Sequence, residues 1–118
     1  MSYTFKDIKV WRKAHELVLE IYRITKIFPV SERYGLTTQL RRSASSIATN
    51  IVEGYKRKSG KDFAHFLNIA DTSLEETKYH LLLAYDLTYL DKEHYYRLLN
   101  LANEIGRMLF GFQKKLIT

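Results

Sequence analysis

The chain has 118 residues, a formal net charge of +6 and a sequence pI of about 9.5. It contains no cysteine, which excludes disulfides and thiolate chemistry and is typical of the reducing cytoplasm. No stretch approaches the roughly 20 apolar residues that a membrane-spanning helix needs. The sequence therefore predicts a cytoplasmic protein with no membrane association and a single domain over residues 1–118.

The first predicted helix follows apolar residues spaced three and four apart, which is typical of an amphipathic helix. Thr4 and Asp7 have the spacing of a capping box that would begin this helix. Pro29 is expected to end it, because proline disfavours helical geometry in the residue before it. The apolar stripe is Val10, Ala14, Leu17, Ile21, Ile24 and Phe28.

Three further helices follow the same period. The second is predicted over residues 36–55. Ser59 and Asp62 form the next capping box, and the third helix should end near Tyr89. Asp91 would cap the fourth helix. No segment alternates with period two, so the fold class is all-α, an antiparallel up-down four-helix bundle.

Charge is unevenly distributed between the second and third helices. Residues 32–61 hold seven Lys/Arg against two Asp/Glu, whereas residues 62–91 hold one against six. Consecutive helices of such a bundle are neighbours, so this complementarity favours their pairing. Part of the basic charge is therefore expected to be used inside the fold.

A row of polar residues runs along the second helix beside its apolar stripe. If the chain folds back at Ser59, Arg42 and Glu76 reach about the same height, and we expect a partly buried ion pair between them. Asn50 would lie near Asn68, and Glu53 near His65. The alternative is that these side chains face water. The predicted structural polar seam consists of Arg42, Ser46, Asn50, Glu53 and Glu76.

The second helix also has apolar residues on another face beside Arg41, namely Ala44, Ala48, Val52 and Tyr55. The fourth helix has further apolar residues off its main stripe: Leu99, Phe110 and Ile117. These extra faces indicate self-association. The alternative is that each wide face packs against two neighbouring helices.

The titratable residues form no catalytic or metal-binding pattern. Asp62 and Asp91 each precede a histidine by three positions, but both occupy expected helix N-caps, so capping is the favoured interpretation. Glu76 precedes His80 by four residues, not by the three of a di-iron motif. Neither a phosphate-binding glycine loop nor a nucleophile elbow occurs. We therefore expect no enzyme activity, no metal and no cofactor.

A basic turn after the second helix is the candidate contact surface for nucleic acid. Lysine and arginine side chains in such a turn suit phosphate contacts without sequence reading. An aromatic ring beside them could stack on a base. An ordinary solvated turn and a surface for an acidic protein partner remain alternatives. The candidate nucleic-acid-binding residues are Arg41, Tyr55, Lys56, Arg57, Lys58 and Lys61.

Several segments resemble the four-helix-bundle family encoded by intervening sequences in bacterial 23S ribosomal RNA genes, also called the S23 ribosomal protein family. They are "FKDIKVWRKAHEL", "FPVSERYGLTTQLRRSASSIATNIVEGYKR", "DFAHFLNIADTSLEE" and "EIGRMLF". The resemblance extends from Phe5 to about Leu116 and is most specific from Gln39 to Gly54. This chain has Ser43 where the family pattern commonly has alanine.

The resemblance implies a homopentameric bundle. It also implies an architecture similar to the accessory variability protein of diversity-generating retroelements, a basic pentamer that binds nucleic acid. Family positions coincide here with Arg42, Asn50, Glu53 and Glu76 of the seam. The expected function is thus non-catalytic binding of structured RNA or DNA by an oligomer, with a protein-interaction scaffold as the alternative.

Overall fold

The computed structural model describes residues 2–117, which form four α-helices joined by short connections. The helices are α1 (Lys9–Thr25), α2 (Leu36–Tyr55), α3 (Gly60–Asp86) and α4 (Lys92–Ile117). Single 3-10 turns occur at Phe5–Asp7 and Val30–Glu32. Helix α1 packs on α2 and α4, and α3 packs on the same two helices. The bundle measures 43 × 24 × 22 Å, and the predicted fold class is confirmed.

The predicted apolar stripes form the core. Leu17, Leu40, Leu74 and Leu98, one from each helix, are completely buried. Such burial stabilises the fold by roughly 1.5–3 kcal/mol for each large apolar side chain. Across residues 2–117 no helix is long and apolar enough to cross a membrane.

The beginning of α1 differs from the sequence prediction. Thr4 and Asp7 do form a capping box, but it closes the 3-10 turn and not the α-helix. Ile8 follows in an extended conformation (φ −79°, ψ 118°), and α1 begins only at Lys9. The interruption places the Ile8 side chain in the core, which explains why the helix does not start at the cap.

Two predicted helix ends also lie too far along the chain. Helix α1 ends at Thr25, four residues before Pro29. Helix α3 ends at Asp86 because Thr88 adopts a left-handed conformation (φ 67°). The Thr88 N–H then bonds the carbonyl of Tyr85, and the Tyr89 N–H bonds that of Ala84, as in a Schellman motif.

The helix starts at the other two turns follow the sequence. The Ser59 hydroxyl accepts the N–H of Asp62 at 3.1 Å. Oδ1 of Asp91 accepts the N–H of His94 at 2.8 Å. Each interaction satisfies a backbone donor that the helix itself cannot pair.

The second apolar face predicted on α2 is only partly present. Ala44 is completely buried and Ala48 partly buried, because this side of α2 packs against α1. For Ala44 the alternative therefore holds, in which a wide helix face packs against two neighbouring helices. On α4, by contrast, Phe110 and Ile117 remain exposed.

Antiparallel packing gives the bundle two different ends. At the basic end, α2 ends and α3 begins, and residues 2–8 and the last turns of α4 join them. A Cβ added to Gly60 would approach the Leu116 carbonyl oxygen to 2.7 Å, so α4 ends against this turn. At the apolar end, the connections 26–35 and 87–91 meet through a 2.9 Å hydrogen bond from the Tyr89 hydroxyl to Glu32.

Candidate nucleic-acid interface

The predicted contact between Arg42 and Glu76 is present, but it lies at the surface. Nη2 of Arg42 donates to Oε2 of Glu76, and also to the side-chain oxygen of Gln39 at 3.0 Å. The side chains of Arg42 and Glu76 are 54% and 39% exposed. The expected partial burial is thus wrong for Arg42, because its guanidinium lies at the rim of the α2–α3 groove. A pair this exposed contributes little stability by itself.

The other members of the predicted seam divide between the two helices. The Ser46 and Ser73 hydroxyls lie 2.9 Å apart and link α2 to α3. Asn50 instead donates to the Ser46 carbonyl at 2.8 Å, within its own helix. Glu53 also stays on α2, with an oxygen 3.9 Å from Arg57. The hydrogen bonds and ion pairs described for Asn50 and Glu53 thus join them to Ser46 and Arg57 and not to α3.

A buried hydroxyl pair that the sequence analysis missed lies inside this seam. The Thr77 hydroxyl donates to Ser43 Oγ at 2.9 Å, and both residues are completely buried. The same hydroxyl lies 2.8 Å from the Ser73 carbonyl oxygen. Ser43 occupies the apolar stripe of α2, so its polarity within that stripe was the available signal for a partner on α3.

His80 completes the seam toward the apolar end. Its Nδ1 lies 3.4 Å from Ser43 Oγ, and its Nε2 lies 3.8 Å from a Glu76 oxygen. Burial lowers the pKa of His80, the charge of Arg42 lowers it further, and Glu76 opposes both. Although serine, histidine and glutamate meet here, Ser43 is completely buried. This cluster therefore joins helices and does not present a nucleophile to solvent.

Of the two aspartate–histidine spacings, the one at Asp91 forms a helix cap, as expected. The expected N-cap role of Asp62 is wrong, because the N-cap of α3 is Ser59 and Asp62 is the third residue of that helix. Besides accepting the backbone N–H, Oδ1 of Asp91 lies 2.8 Å from Nδ1 of His94. These bonds to His94 lower the pKa of the Asp91 carboxyl. Within residues 2–117 no group of three or more metal-ligating side chains converges.

Arg41 is separated from the other candidate nucleic-acid residues. Its Nε donates to the Thr25 hydroxyl at 2.8 Å, and its guanidinium lies 4.5 Å from the ring centre of Tyr22. Lys56 follows fifteen residues later at the end of α2, which corresponds to about 22 Å along the helix. Arg41 thus joins α1 to α2 near the apolar end.

The remaining candidates lie at the basic end but have different surroundings. The Tyr55 hydroxyl donates to the Tyr3 carbonyl at 3.0 Å, and the two rings lie 6.0 Å apart. Arg57 lies over the Phe66 ring, 4.3 Å from its centre. Tyr55 and Arg57 therefore hold local structure. The lysines of the turn, Lys56, Lys58 and Lys61, are exposed.

The fold adds basic residues that the sequence analysis did not connect with this turn. The N-terminal segment reaches α2 through Tyr3, and α4 reaches α3 through a 3.2 Å bond from Gln113 to the Ala64 carbonyl. Among the described residues, three acidic ones lie within a turn of this end, namely Asp7, Glu53 and Asp62. The exposed basic residues of the basic end are Lys6, Lys9, Lys56, Arg57, Lys58, Lys61, Lys114 and Lys115.

The fold and the candidate site together describe a small four-helix bundle with a serine-rich seam between α2 and α3 and one basic end. The family model described as 23S rRNA-intervening sequence protein matches residues 6–111. The chain belongs to this family, which confirms the resemblance found in its sequence.

A solved structure supports the same assignment. The chain is 31% identical to a protein of unknown function from the S23 ribosomal protein family of Bacteroides thetaiotaomicron, whose crystal structure was determined at 1.70 Å. The match covers 89% of this chain and 98% of that one, with a TM-score of 0.82. No curated protein shows significant similarity to the chain.

Proposed function

We propose that the protein is a non-catalytic, oligomeric nucleic-acid-binding protein of the cytoplasm that holds structured RNA or DNA at its basic end. The observation that carries the proposal is that eight exposed Lys/Arg side chains lie at that end beside only three acidic residues among the described residues. Phosphate groups are the partners that such a surface attracts without reading sequence. Membership of a family named for 23S rRNA intervening sequences makes RNA the first ligand to test.

The oligomer in this proposal is a homopentamer. The number of five subunits is what the family resemblance implies. Self-association itself is supported by the exposed apolar surface, which monomeric proteins seldom display in quantity. At the apolar end, Ile27, Val30 and Tyr34 are 81%, 85% and 88% exposed. A closed ring would repeat the basic end, so that several weak phosphate contacts act together.

The test is RNA binding at several salt concentrations by fluorescence anisotropy. The probes are an RNA hairpin and a DNA duplex of equal phosphate number. The wild type is compared with Lys56→Gln/Lys58→Gln/Lys61→Gln, which leaves the local contacts of Arg57 intact. The matched control is Lys26→Gln/Arg33→Gln/Lys92→Gln, which removes the same charge near the apolar end from residues that are also exposed.

The first variant should bind more weakly and with a smaller salt dependence. The logarithmic slope should decrease by about 0.9 for each duplex phosphate that the variant no longer neutralises. The control should retain the wild-type slope. Equal losses in both variants would mean that net charge alone is responsible and would reject the basic end as the site. Binding of an acidic protein together with no binding of either nucleic acid would favour the scaffold alternative.

Native mass tests the assembly separately. Light scattering should give five times the chain mass of 14.0 kDa. A monomeric mass at high protein concentration would reject the pentamer while leaving the binding experiment interpretable.

A further inference from the structure

A cleft of about 460 Å³ lies at the basic end, between the N-terminal segment and the last turns of α4. Val10 forms a buried part of its wall, and Met108 and Phe112 are partly buried beside it. Lys9 and Lys115 line the same cleft and are exposed. This size and this mixture of an apolar wall with a few charged groups are typical of small-molecule sites of roughly 300–1,000 Å³.

The cleft also contains an exposed aromatic ring. Tyr3 lines the cleft and is 63% exposed. Its backbone is fixed by the hydrogen bond from Tyr55 and by the adjoining Thr4–Asp7 capping box. Tyr55, which the sequence suggested as a stacking residue, therefore positions Tyr3, and Tyr3 is the ring that a ligand can reach.

We propose that this cleft receives an unpaired nucleobase of the bound nucleic acid, with the adjoining phosphate held by Lys9 and Lys115. This inference rests on the proposed function and specifies its ligand as a nucleic acid containing single-stranded segments. A nucleobase is flat and largely apolar on its faces, so it can stack on Tyr3 against the apolar wall. Its phosphate is anionic and matches the two lysines.

Asp7 sets the orientation of the ligand. Its carboxylate also lines the cleft and accepts the N–H of Thr4 at 2.8 Å. A carboxylate repels phosphate but accepts hydrogen bonds from the amino and imino groups of bases. The uncharged base therefore belongs on the side of Asp7, and the phosphate belongs on the side of the lysines.

Gly111 offers a way to close the cleft without changing any charge. It lines the cleft, and an added Cβ would have no atom within 4 Å apart from adjacent parts of its own helix. Gly111→Phe should place a ring in the cleft, whereas Gly111→Ala should leave it open. Alanine also favours the helix over glycine, so the control variant is expected to fold at least as well as the wild type.

The experiment measures binding of a labelled single-stranded RNA and of a blunt-ended RNA duplex at several salt concentrations. Gly111→Phe should weaken single-strand binding about fivefold to a hundredfold, the range for loss of one stacked base. Its salt slope and its duplex binding should remain at wild-type values. Gly111→Ala should match the wild type with both probes.

Unchanged single-strand binding by a folded Gly111→Phe variant would overturn the cleft assignment. An equal loss for the duplex would also overturn it, because a fully paired duplex has no base to insert. Neither result would affect the proposed function, which fails only if the wild type binds neither probe. If the wild type bound an acidic peptide and not RNA, and Gly111→Phe abolished that binding, the cleft would be reassigned to a protein ligand and the proposal rejected.

The exposed side chain of Tyr3 provides a second variant if Gly111→Phe does not fold. Tyr3→Leu should lose single-strand affinity within the same range, and Tyr3→Trp should retain it because an indole ring also stacks on bases. A structural role of the ring would instead lower the melting temperature and affect both probes equally. Equal affinities of the leucine and tryptophan variants would contradict stacking at this position.

Discussion

The two ends of the bundle connect similar helices but treat charge in opposite ways. The apolar end balances three basic residues with three acidic ones within 26–35 and 87–93, and its Glu32 carboxylate is used by Tyr89 and by the N–H of Leu36. The basic end has a large excess of lysine and arginine, and its turn lysines are exposed. At the apolar end the Glu32 carboxylate maintains the fold and opposite charges balance, whereas at the basic end the exposed lysines are in excess.

The two ends also differ in how their elements are held together. The basic end relies on glycine, since Gly54 lets α2 approach Phe63 and Phe66 of α3. The apolar end relies on hydrogen bonds between its two connections. Variants that change the glycine or remove the hydrogen bonds one at a time can show how much each contributes to stability at its own end.

The largest effect is expected for Gly54→Ala at the basic end. The added Cβ would lie 2.7 Å from Phe63 Cδ1 and 2.9 Å from Phe66 Cβ, so the helices must separate. Overpacking of this kind costs about 1–3 kcal/mol. Over most of that range the cost exceeds the gain in helix propensity on replacing glycine with alanine, which is about 1 kcal/mol. Urea unfolding should show a net loss of stability. The matched control, Gly111→Ala, should show a gain, and a gain in both variants would contradict the close approach.

At the apolar end, Glu32→Ala should lower the free energy of unfolding by about 1–2 kcal/mol. The carboxylate accepts the Tyr89 hydroxyl at 2.9 Å and the N–H of Leu36 at 3.1 Å, so its loss frees a helix donor and separates two loops. Tyr89→Phe removes only the first bond and should cost less. Equal costs would show that the N–H contact with Leu36 contributes nothing.

The sequence predicted the helices of the bundle but not the local contacts that hold its ends together. Apolar spacing predicted four helices and their order, because each stripe is a local pattern that the core needs. Thr88 was not recognised as a helix terminator, since threonine seldom adopts positive φ. The contact of Arg42 with Glu76 was predicted by counting outward from the turn, but its exposure depends on how far the helices separate.

The candidate site was harder to predict for the same reason. Long side chains such as Arg41 and Tyr55 read as free surface groups in sequence, yet both fold back onto neighbouring elements. Lys9 and Lys115 are distant in sequence and meet only through antiparallel packing of α1 and α4. Counting heights along all four helices, and not only along one hairpin, would have placed the last turn of α4 beside the basic turn.

Thr88→Gly should stabilise the apolar end by about 1 kcal/mol. A left-handed conformation is unfavourable for residues with a Cβ by roughly 1–2 kcal/mol, and glycine avoids that cost. Thr88→Ala is the matched control, because it removes the hydroxyl but keeps the Cβ. Thermal unfolding should show a gain only for glycine, and a similar gain for alanine would assign the effect to the hydroxyl.

Between the two ends, the buried Ser43–Thr77 pair should behave as a coupled unit. Ser43→Ala alone removes the hydrogen bond to Thr77, whose hydroxyl keeps the Ser73 carbonyl as an acceptor, and should cost about 1 kcal/mol. Ser43→Ala combined with Thr77→Val replaces both groups with apolar ones and should cost less than the sum of the two single variants, because both of them remove the same bond. Additive losses in the double-mutant cycle would show that the two hydroxyls are not coupled.

The smallest expected effect is a pH dependence at His80. Because burial lowers its pKa below 6.5 in the folded state, the unfolded chain binds the proton more readily just below that pH. Stability should therefore be complete above about 6.5 and fall as the pH decreases toward the folded-state pKa. His80→Gln should flatten this decrease while leaving the basic end unaffected, as measured by urea unfolding across this range.

Since His80 lies toward the apolar end, a parallel loss of RNA binding in wild type but not in His80→Gln would mean that the seam transmits strain between the ends. Unchanged binding is the expected result, because the basic end is held by its own contacts at Tyr3, Gly54 and Gln113.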